Sequence, residues 1–151
     1  MKKRIIFVLI ALFVLLICHT CFGNNQYSFP NPPEAVEKIE LLYNPNRFSA
    51  KDPFYELVLM RELKPEETVP FMTEIYQLET DRYGPPPRRG YGWYIVRVTY
   101  TNGDIEMLGS YNIAYIRSGE PQHSTGIYYF PNNGLTELLK NYVDLSEYPE
   151  G

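Results

Sequence analysis

The stretch that decides the fold is Ile95-Val-Arg-Val-Thr-Tyr-Thr-Asn-Gly-Asp-Ile-Glu-Met-Leu108. Two alternating runs flank Asn102-Gly103, a dipeptide that favours a two-residue type I′ turn because both residues accept a positive φ. The resulting register places apolar or glycine pairs on one face of the hairpin: Tyr100 with Ile105, Val98 with Met107, and Val96 with Gly109. The hairpin therefore predicts an antiparallel sheet with one apolar face that another layer must cover.

The second face of this hairpin is more polar, and we expect it to be the uncovered face of the sheet. It carries Trp93, Ile95, Arg97, Thr99 and Glu106. In the predicted register Arg97 lies diagonal to Glu106, which is within reach of a surface ion pair.

Four further segments with alternating or aromatic-rich sequences predict strands around the hairpin: 35–43, 54–63, 111–116 and 126–130. The segment 118–125 between the last two is rich in turn residues and predicts a loop.

Two segments have the spacing of amphipathic helices. In the first, Pro65 and the two glutamates after it suit a helix start. We expect Thr68 to be the N-cap, because Pro70 then falls in the first turn, where a missing N–H leaves no hydrogen bond unmade. The second helix closes the chain, and an Asn at 132 or 133 can cap it. Its apolar stripe consists of Leu135, Leu138, Leu139, Tyr142 and Val143.

The element order is therefore β-β-α-β-β-β-β-α, which predicts an α+β fold. We expect a two-layer sandwich in which two helices cover one face of a meandering antiparallel sheet. A single domain over residues 35–145 would follow a signal peptide (1–23) and a polar, proline-rich flexible lead (24–34), and precede a short tail (146–151).

The N-terminus has the pattern of a targeting segment. A basic end at residues 2–4 precedes 13 apolar residues at 5–17, a run too short to span a bilayer as a helix. Small residues at Cys21 and Gly23 predict cleavage by a signal peptidase after Gly23, and so a secreted or cell-envelope protein. Two alternatives stay open, in which this segment alone touches the membrane: an uncleaved anchor, or a lipid attached to Cys18 or Cys21.

Cleavage would leave 128 of the 151 residues and no cysteine, so the core alone must hold the exported domain together. The loss of three basic residues would take the formal net charge from −4 to −7. Nucleic acids and anionic lipids require clustered Lys or Arg, so the acidic chain is a poor candidate for either. All 14 tyrosines lie in the mature part, and tyrosine is common both in sheets and at binding surfaces.

The residues that catalysis or metal binding would need are sparse. The one histidine of the mature chain, His123, has Ser124 beside it, but adjacent side chains rarely point at each other and no Gly-x-Ser-x-Gly elbow occurs. Neither zinc- nor calcium-ligand spacing is present, and no phosphate-binding loop is found. We therefore expect no catalytic residues, no metal and no cofactor, and the chain is interpreted as non-enzymatic.

The segment before the hairpin combines cationic and aromatic residues, and it is the candidate binding surface. Arg88, Arg89, Tyr91 and Trp93 could stack on a sugar or contact an acidic partner. The alternative is that these rings only pack the sheet edge. The run Pro85-Pro-Pro87 is interpreted as a stiff spacer between helix and strand, because it is too short for a PxxP ligand.

The run Ile95 to Leu108 follows the helical segment Glu67 to Leu78 and precedes a tyrosine-containing strand and a short Leu-Leu-x-x-Tyr helix. In this pattern the chain, from about Val36 to Val143, resembles small exported or lipoprotein domains of unknown function from Gram-positive bacteria. The resemblance implies this fold and export, and it carries no site residues with it.

Three functions are consistent with these observations. The first is a binding or interaction module at the bacterial cell surface, with an unknown protein or glycan as its partner. The alternative is a small secreted hydrolase that uses a pair of carboxylates or His123. The third is a periplasmic or wall-associated scaffold with no specific ligand.

Overall fold

The structure of the protein is a computed structural model that describes residues 26–45, 57–82, 90–119 and 128–148. The described strands are β1 (Val36–Tyr43), β2 (Val58–Glu62), β3 (Asp81–Arg82), β4 (Tyr94–Tyr100), β5 (Ile105–Gly109), β6 (Asn112–Ile116) and β7 (Tyr128–Tyr129). Five of them form one antiparallel sheet in the order β2-β1-β4-β5-β6, and β3 pairs with β7 in a separate two-stranded sheet. The strand β3 had no counterpart among the predicted strands.

Two helices, α1 (Pro65–Gln77) and α2 (Gly134–Leu139), cover the inner face of the large sheet. Three short 3-10 segments flank these elements, at Pro33–Ala35, Pro131–Asn133 and Leu145–Glu147. The main core contains residues from both helices and from all the inner strand faces, among them Ile39, Leu41, Phe71, Ile75, Tyr94, Val96, Val98, Leu108, Leu135 and Leu139. The predicted α+β sandwich, with two helices on one face of an antiparallel sheet, is confirmed.

The predicted hairpin register, however, is wrong by one residue. The ladder pairs Val96 with Leu108 and Val98 with Glu106. The turn has three residues, because Tyr100 N donates to Asp104 O at 2.9 Å. A type I′ turn needs a positive φ at both central residues, whereas here Gly103 has φ +83° and Asn102 is not among the positive-φ residues.

Asn102 has another role in this turn. Its Oδ1 accepts from Asp104 N at 3.0 Å, and its Nδ2 donates to Asp104 Oδ2 at 2.9 Å. Asp104 is also held from outside the hairpin, since Ser118 N donates to its Oδ1 at 2.8 Å. These bonds favour a type I turn followed by one left-handed glycine.

The turn gives a first testable prediction. Asn102→Gly would stabilise a type I′ turn, but we expect it to lower the free energy of unfolding by roughly 1 kcal/mol, because it removes the side-chain bonds to Asp104 and adds backbone entropy to the unfolded chain. Urea denaturation followed by the fluorescence of Trp93 measures the change. Thr101→Gly in the same turn is the control for glycine entropy alone, and an Asn102→Gly protein as stable as wild type would contradict this turn assignment.

The register shift exchanges the two faces of β5. Glu106 points into the main core, and Met107 points to the outer face. Ile95, predicted on the uncovered face, is 0% exposed and belongs to a second apolar cluster with Leu42, Tyr91, Met107 and Ala114. Of the predicted outer residues, Arg97 and Thr99 are partly exposed. The prediction that this face is uncovered is therefore wrong at its centre, where Ile95 and Met107 are buried.

The N-cap of α1 differs from the predicted one, whereas α2 has Asn133 at its N-cap as predicted but without a side-chain capping bond. α1 begins at Pro65 after Lys64, so Thr68 is not the N-cap and Pro70 lies inside the helix. Glu67 holds the earlier start, because its carboxylate accepts from Lys64 N at 2.9 Å. Asn133 precedes α2 in a left-handed conformation, and its side chain makes no capping bond.

Several sequence predictions concern residues outside the described ranges: the signal peptide at 1–23, the proline spacer, Arg88, Arg89 and His123. Among the helices of the described residues, none has the length and apolarity needed to cross a membrane.

Candidate functional site

The predicted binding surface is only partly placed by the structure. Arg88 and Arg89 lie outside the described residues. Tyr91 is 4% exposed and packs in the second apolar cluster, which leaves its ring little area for a ligand. Trp93 is partly buried against the main core rather than on an open outer face.

Trp93 belongs to a group of aromatic side chains at one end of the large sheet, which we call the aromatic end cluster (Tyr43, Trp93 and Tyr148). The Trp93 ring is stacked on Tyr43 at a centroid distance of 6.2 Å and an angle of 12°, and the Tyr148 ring is 5.6 Å from Tyr43. Tyr94 holds Tyr148 at this cluster, because the Tyr94 hydroxyl donates to the backbone oxygen of Tyr148 at 2.8 Å. All three cluster rings are partly exposed.

The backbone fixes the position of Trp93. Asn44 follows the last residue of β1, and its N–H donates to Trp93 O at 2.7 Å. The Asn44 side chain also donates to Gly92 O at 3.1 Å. Gly92 has φ +101°, a conformation that L side chains rarely adopt, and this turns the chain so that the Trp93 ring reaches Tyr43.

The edge strand β2 also exposes apolar side chains at this end of the sheet. Val58 pairs directly with Tyr43 and shares its face of the sheet, whereas the next residue, Leu59, pairs with Leu42 and lies on the opposite face. Val58 is 45% exposed and Leu59 is 51% exposed. Exposed apolar residues on an edge strand favour contact with another chain, and aromatic residues are enriched where proteins bind each other.

The structure also brings together a polar group that the sequence did not indicate. Glu106 is 0% exposed in the main core. Tyr100 donates to its Oε2 at 2.5 Å, and Tyr27 donates to its Oε1. A buried carboxylate is expensive unless hydrogen bonds satisfy it, and here two phenols do so.

Tyr27 comes from the segment that composition assigned to a flexible lead. We call residues 26–31 the N-terminal strap. Tyr27 N donates to Thr80 Oγ1 at 2.6 Å, and the Phe29 ring is stacked on Tyr76 with a centroid distance of 4.1 Å. Asn31 Nδ2 donates to the Tyr115 hydroxyl at 3.1 Å. The strap therefore lies on the domain and covers Glu106.

Burial is the main influence on the ionisation of this group. It raises the pKa of Glu106 from its ordinary value of 4.5 to about 6, although the hydrogen bonds from Tyr100 and Tyr27 act in the opposite direction. Burial and then the charge of Glu106 raise the pKa of both Tyr27 and Tyr100 above the usual range. They also raise the pKa of Tyr76, to about 12.

Glu40 and Glu62, two carboxylates that meet across neighbouring strands, are both paired with cations. Glu40 is cross-strand from Glu62, and Lys38 Nζ lies 3.1 Å from Glu40 and 2.9 Å from Glu62. Arg97 Nε lies 2.6 Å from Glu40 Oε2. The hydrogen bond from Arg97 is the main reason that the pKa of Glu40 is lowered. This is a charge ladder across three strands, in which Arg97 and Lys38 favour the ionised form of Glu40.

In the part of the chain that the structure describes, no three His, Cys, Asp or Glu side chains are placed to hold a metal ion. Comparisons of the chain with protein-family models, with curated proteins and with solved structures found no match.

Sequence reasoning missed Glu106 because the wrong hairpin register turned it outward. The sequence was also compatible with a three-residue turn at 101–103, because such turns too accept glycine as their last residue. That turn pairs Glu106 with Val98 and places it among the apolar residues. Nothing in the sequence indicated Tyr27, which is separated from Glu106 by 79 positions.

Proposed function

We propose that this protein is an exported, non-enzymatic interaction domain of the bacterial cell surface. In this proposal it binds a protein partner through the aromatic end cluster and the adjacent edge of β2. The observation that carries it is the cross-strand pairing of Tyr43, a partly exposed ring stacked on Trp93, with Val58, an exposed apolar residue of the edge strand. A protein is favoured over a glycan because Val58 and Leu59 add an apolar strand edge that a sugar would not need.

The alternative, hydrolysis by paired carboxylates, has less support. Such a pair needs an acid with a raised pKa beside an ionised carboxylate, both in contact with substrate. Glu106 has the raised pKa but is 0% exposed, and Glu40 is held ionised by Arg97. These two observations favour the binding role. His123, outside the described residues, remains a prediction.

Export rests on the N-terminal segment and on the resemblance to small exported domains of Gram-positive bacteria. We expect the intact mass of the protein recovered from a Gram-positive host to correspond to loss of the first 23 residues. An added lipid mass at Cys21 or Cys18 would indicate a lipid anchor instead. Retention of the whole segment in an exported protein would indicate an uncleaved anchor. A protein that stays in the cytoplasm at full mass would contradict export.

The binding surface is tested by substitutions that keep the strand. Val58→Thr combined with Leu59→Thr removes exposed apolar area while placing β-branched residues, which favour strands, at both positions. The partner is identified by cross-linking on cells that display the domain, and its affinity is then measured with purified proteins. We expect the double variant to bind at least tenfold more weakly, since central apolar contacts dominate interface energies.

The matched control is Val69→Thr, which changes a valine that is 42% exposed on α1, away from the edge strand. It should bind like wild type. Trp93→Phe keeps a ring beside Tyr43 and should weaken binding less than the double variant. Wild-type affinity of the Val58 and Leu59 double variant would overturn this surface, and binding only to a glycan array would overturn the choice of a protein partner.

A further inference from the structure

The buried carboxylate of Glu106 is covered by a segment that forms neither helix nor strand. The N-terminal strap lies over it and is attached through side chains: the Tyr27 hydroxyl on Glu106, the Tyr76 hydroxyl on Asn31 O, and Asn31 on Tyr115. The Tyr27 ring packs edge-on against Phe29 at 5.0 Å and against Tyr128 at 5.3 Å. The strap forms no strand, so it can leave without breaking the sheet ladder.

Among the described residues, the titratable groups that face Glu106 are phenols. Tyr27 comes from the strap, Tyr76 from α1, Tyr100 from β4 and Tyr115 from β6. Asp104, just before β5, is a further carboxylate and is bound by Tyr115. Phenols donate hydrogen bonds to a carboxylate but supply no positive charge. Ionised Glu106 is therefore satisfied but not neutralised.

We infer that the N-terminal strap is a pH-sensitive latch, which closes over Glu106 when this carboxyl group is protonated and loosens when it is ionised. The reason is desolvation: the closed strap keeps water from Glu106, which disfavours a charge there, whereas a lifted strap lets water solvate the carboxylate. The Tyr27 hydroxyl partly offsets this cost, so the strap can still close above neutral pH. This inference does not rest on the proposed binding role, because no strap residue belongs to the aromatic end cluster.

Proton linkage gives the direction and the size of the pH effect on the ratio of closed to open protein. The closed state raises the pKa of Glu106 from 4.5 to about 6, so it holds a proton that the open state has released between these values. The ratio of closed to open protein is thus highest below pH 4.5 and falls as the pH rises through 6. If opening restores the ordinary pKa, the ratio falls by up to about thirty-fold across this window.

The strap position can be followed with a spin label at Ser28, which is exposed between Tyr27 and Phe29. The label is attached to S28C in the full chain, with Cys18 and Cys21 replaced by serine. We expect the mobile fraction of the label to increase as the pH is raised from about 4.5 to 7.5. Glu106→Gln, which keeps the side-chain shape but cannot ionise, should give a mobile fraction that does not change with pH.

Tyr27→Phe provides an independent variant if Glu106→Gln does not fold. It removes a donor that stabilises the ionised carboxylate in the closed state, so the mobile fraction at pH 7.5 should exceed that of the wild type. The latch is overturned by a label mobility that is constant with pH in the wild type, by the same titration in Glu106→Gln, or by an unchanged mobile fraction at pH 7.5 in Tyr27→Phe. None of these outcomes depends on whether the β2 edge binds a partner.

Discussion

Gly109→Ala is expected to destabilise the protein by about 3 kcal/mol or more, the largest effect that we predict for a single methyl group. A Cβ at Gly109 would lie 2.2 Å from Tyr91 O, 2.9 Å from Tyr91 C and 2.7 Å from Tyr91 Cβ. The first two are backbone atoms, so no rotamer change can move them away. Glycine in a strand interior marks such a close approach of another backbone.

The approach of these two segments is itself held by hydrogen bonding. Tyr91 O accepts from Tyr111 N at 3.3 Å, within the β5–β6 turn. Relieving the clash therefore means moving the segment that leads into β4, together with Tyr91 in the second apolar cluster. We expect the loss of stability to appear as a lower urea midpoint of unfolding. The dependence of the free energy of unfolding on urea concentration should not change, because the clash acts on the native state of a two-state protein.

Gly134→Ala is the matched control. The nearest atom to its added Cβ is Leu78 Cδ2 at 3.8 Å, an ordinary contact, and Gly134 has helical angles at φ −51°. This substitution should be neutral or stabilise by up to about 1 kcal/mol, because it reduces the entropy of the unfolded chain. If Gly109→Ala unfolds at the same urea concentration as Gly134→Ala, the path of Tyr91 across the sheet is wrong.

The second large effect is a loss of stability with rising pH that arises from Glu106. The pKa of this group is about 6 in the folded protein, against 4.5 as its ordinary value, so the folded state binds more protons between these values. The stabilisation that Glu106 contributes is therefore complete below pH 4.5 and is lost as the pH rises through 6. A shift of this size corresponds to about 2 kcal/mol.

Other carboxylates act in the opposite direction, so the effect must be measured as a difference. The lowered pKa values of Glu40 and Asp104 add stability above their ordinary ranges, which is lost on acidification. The free energy of unfolding of the wild type minus that of Glu106→Gln should thus fall by about 2 kcal/mol from pH 4 to pH 7. Glu137→Gln removes an exposed carboxylate and is the control for a change of net charge. A pH-independent difference for Glu106→Gln would contradict the buried position of this group.

The candidate site was predictable in part. The sequence indicated Trp93 as part of an aromatic surface but placed it on the uncovered face of the sheet, whereas its ring is partly buried against the main core. The sequence did not show that Tyr91 is buried while Trp93 is partly exposed. The residues before β4 have no alternating pattern from which a face of the sheet could be assigned. The stacking of Trp93 on Tyr43 depends on a bond from Asn44, which lies 49 positions earlier.

By itself, the sequence determined the elements and their layers. Alternating β-branched residues specify strands, spaced leucines specify the closing helix, and apolar faces on both require that helices cover the sheet. These are properties of neighbouring residues, which is why they can be seen in one chain without its structure.

Only the tertiary structure decided which face each residue of β5 occupies. Asn102-Gly103 is compatible with two turns, and in the three-residue turn that forms, Asp104 is bound both by Asn102 and, from outside the hairpin, by Ser118 N–H. Because side chains alternate with a period of two, this one-residue difference moved Glu106 from the surface into the core. Its partner Tyr27 could be found only in three dimensions, since a contact across 79 positions leaves no local pattern. Local chemistry fixes what a segment becomes, whereas contacts between distant segments fix its register and its burial.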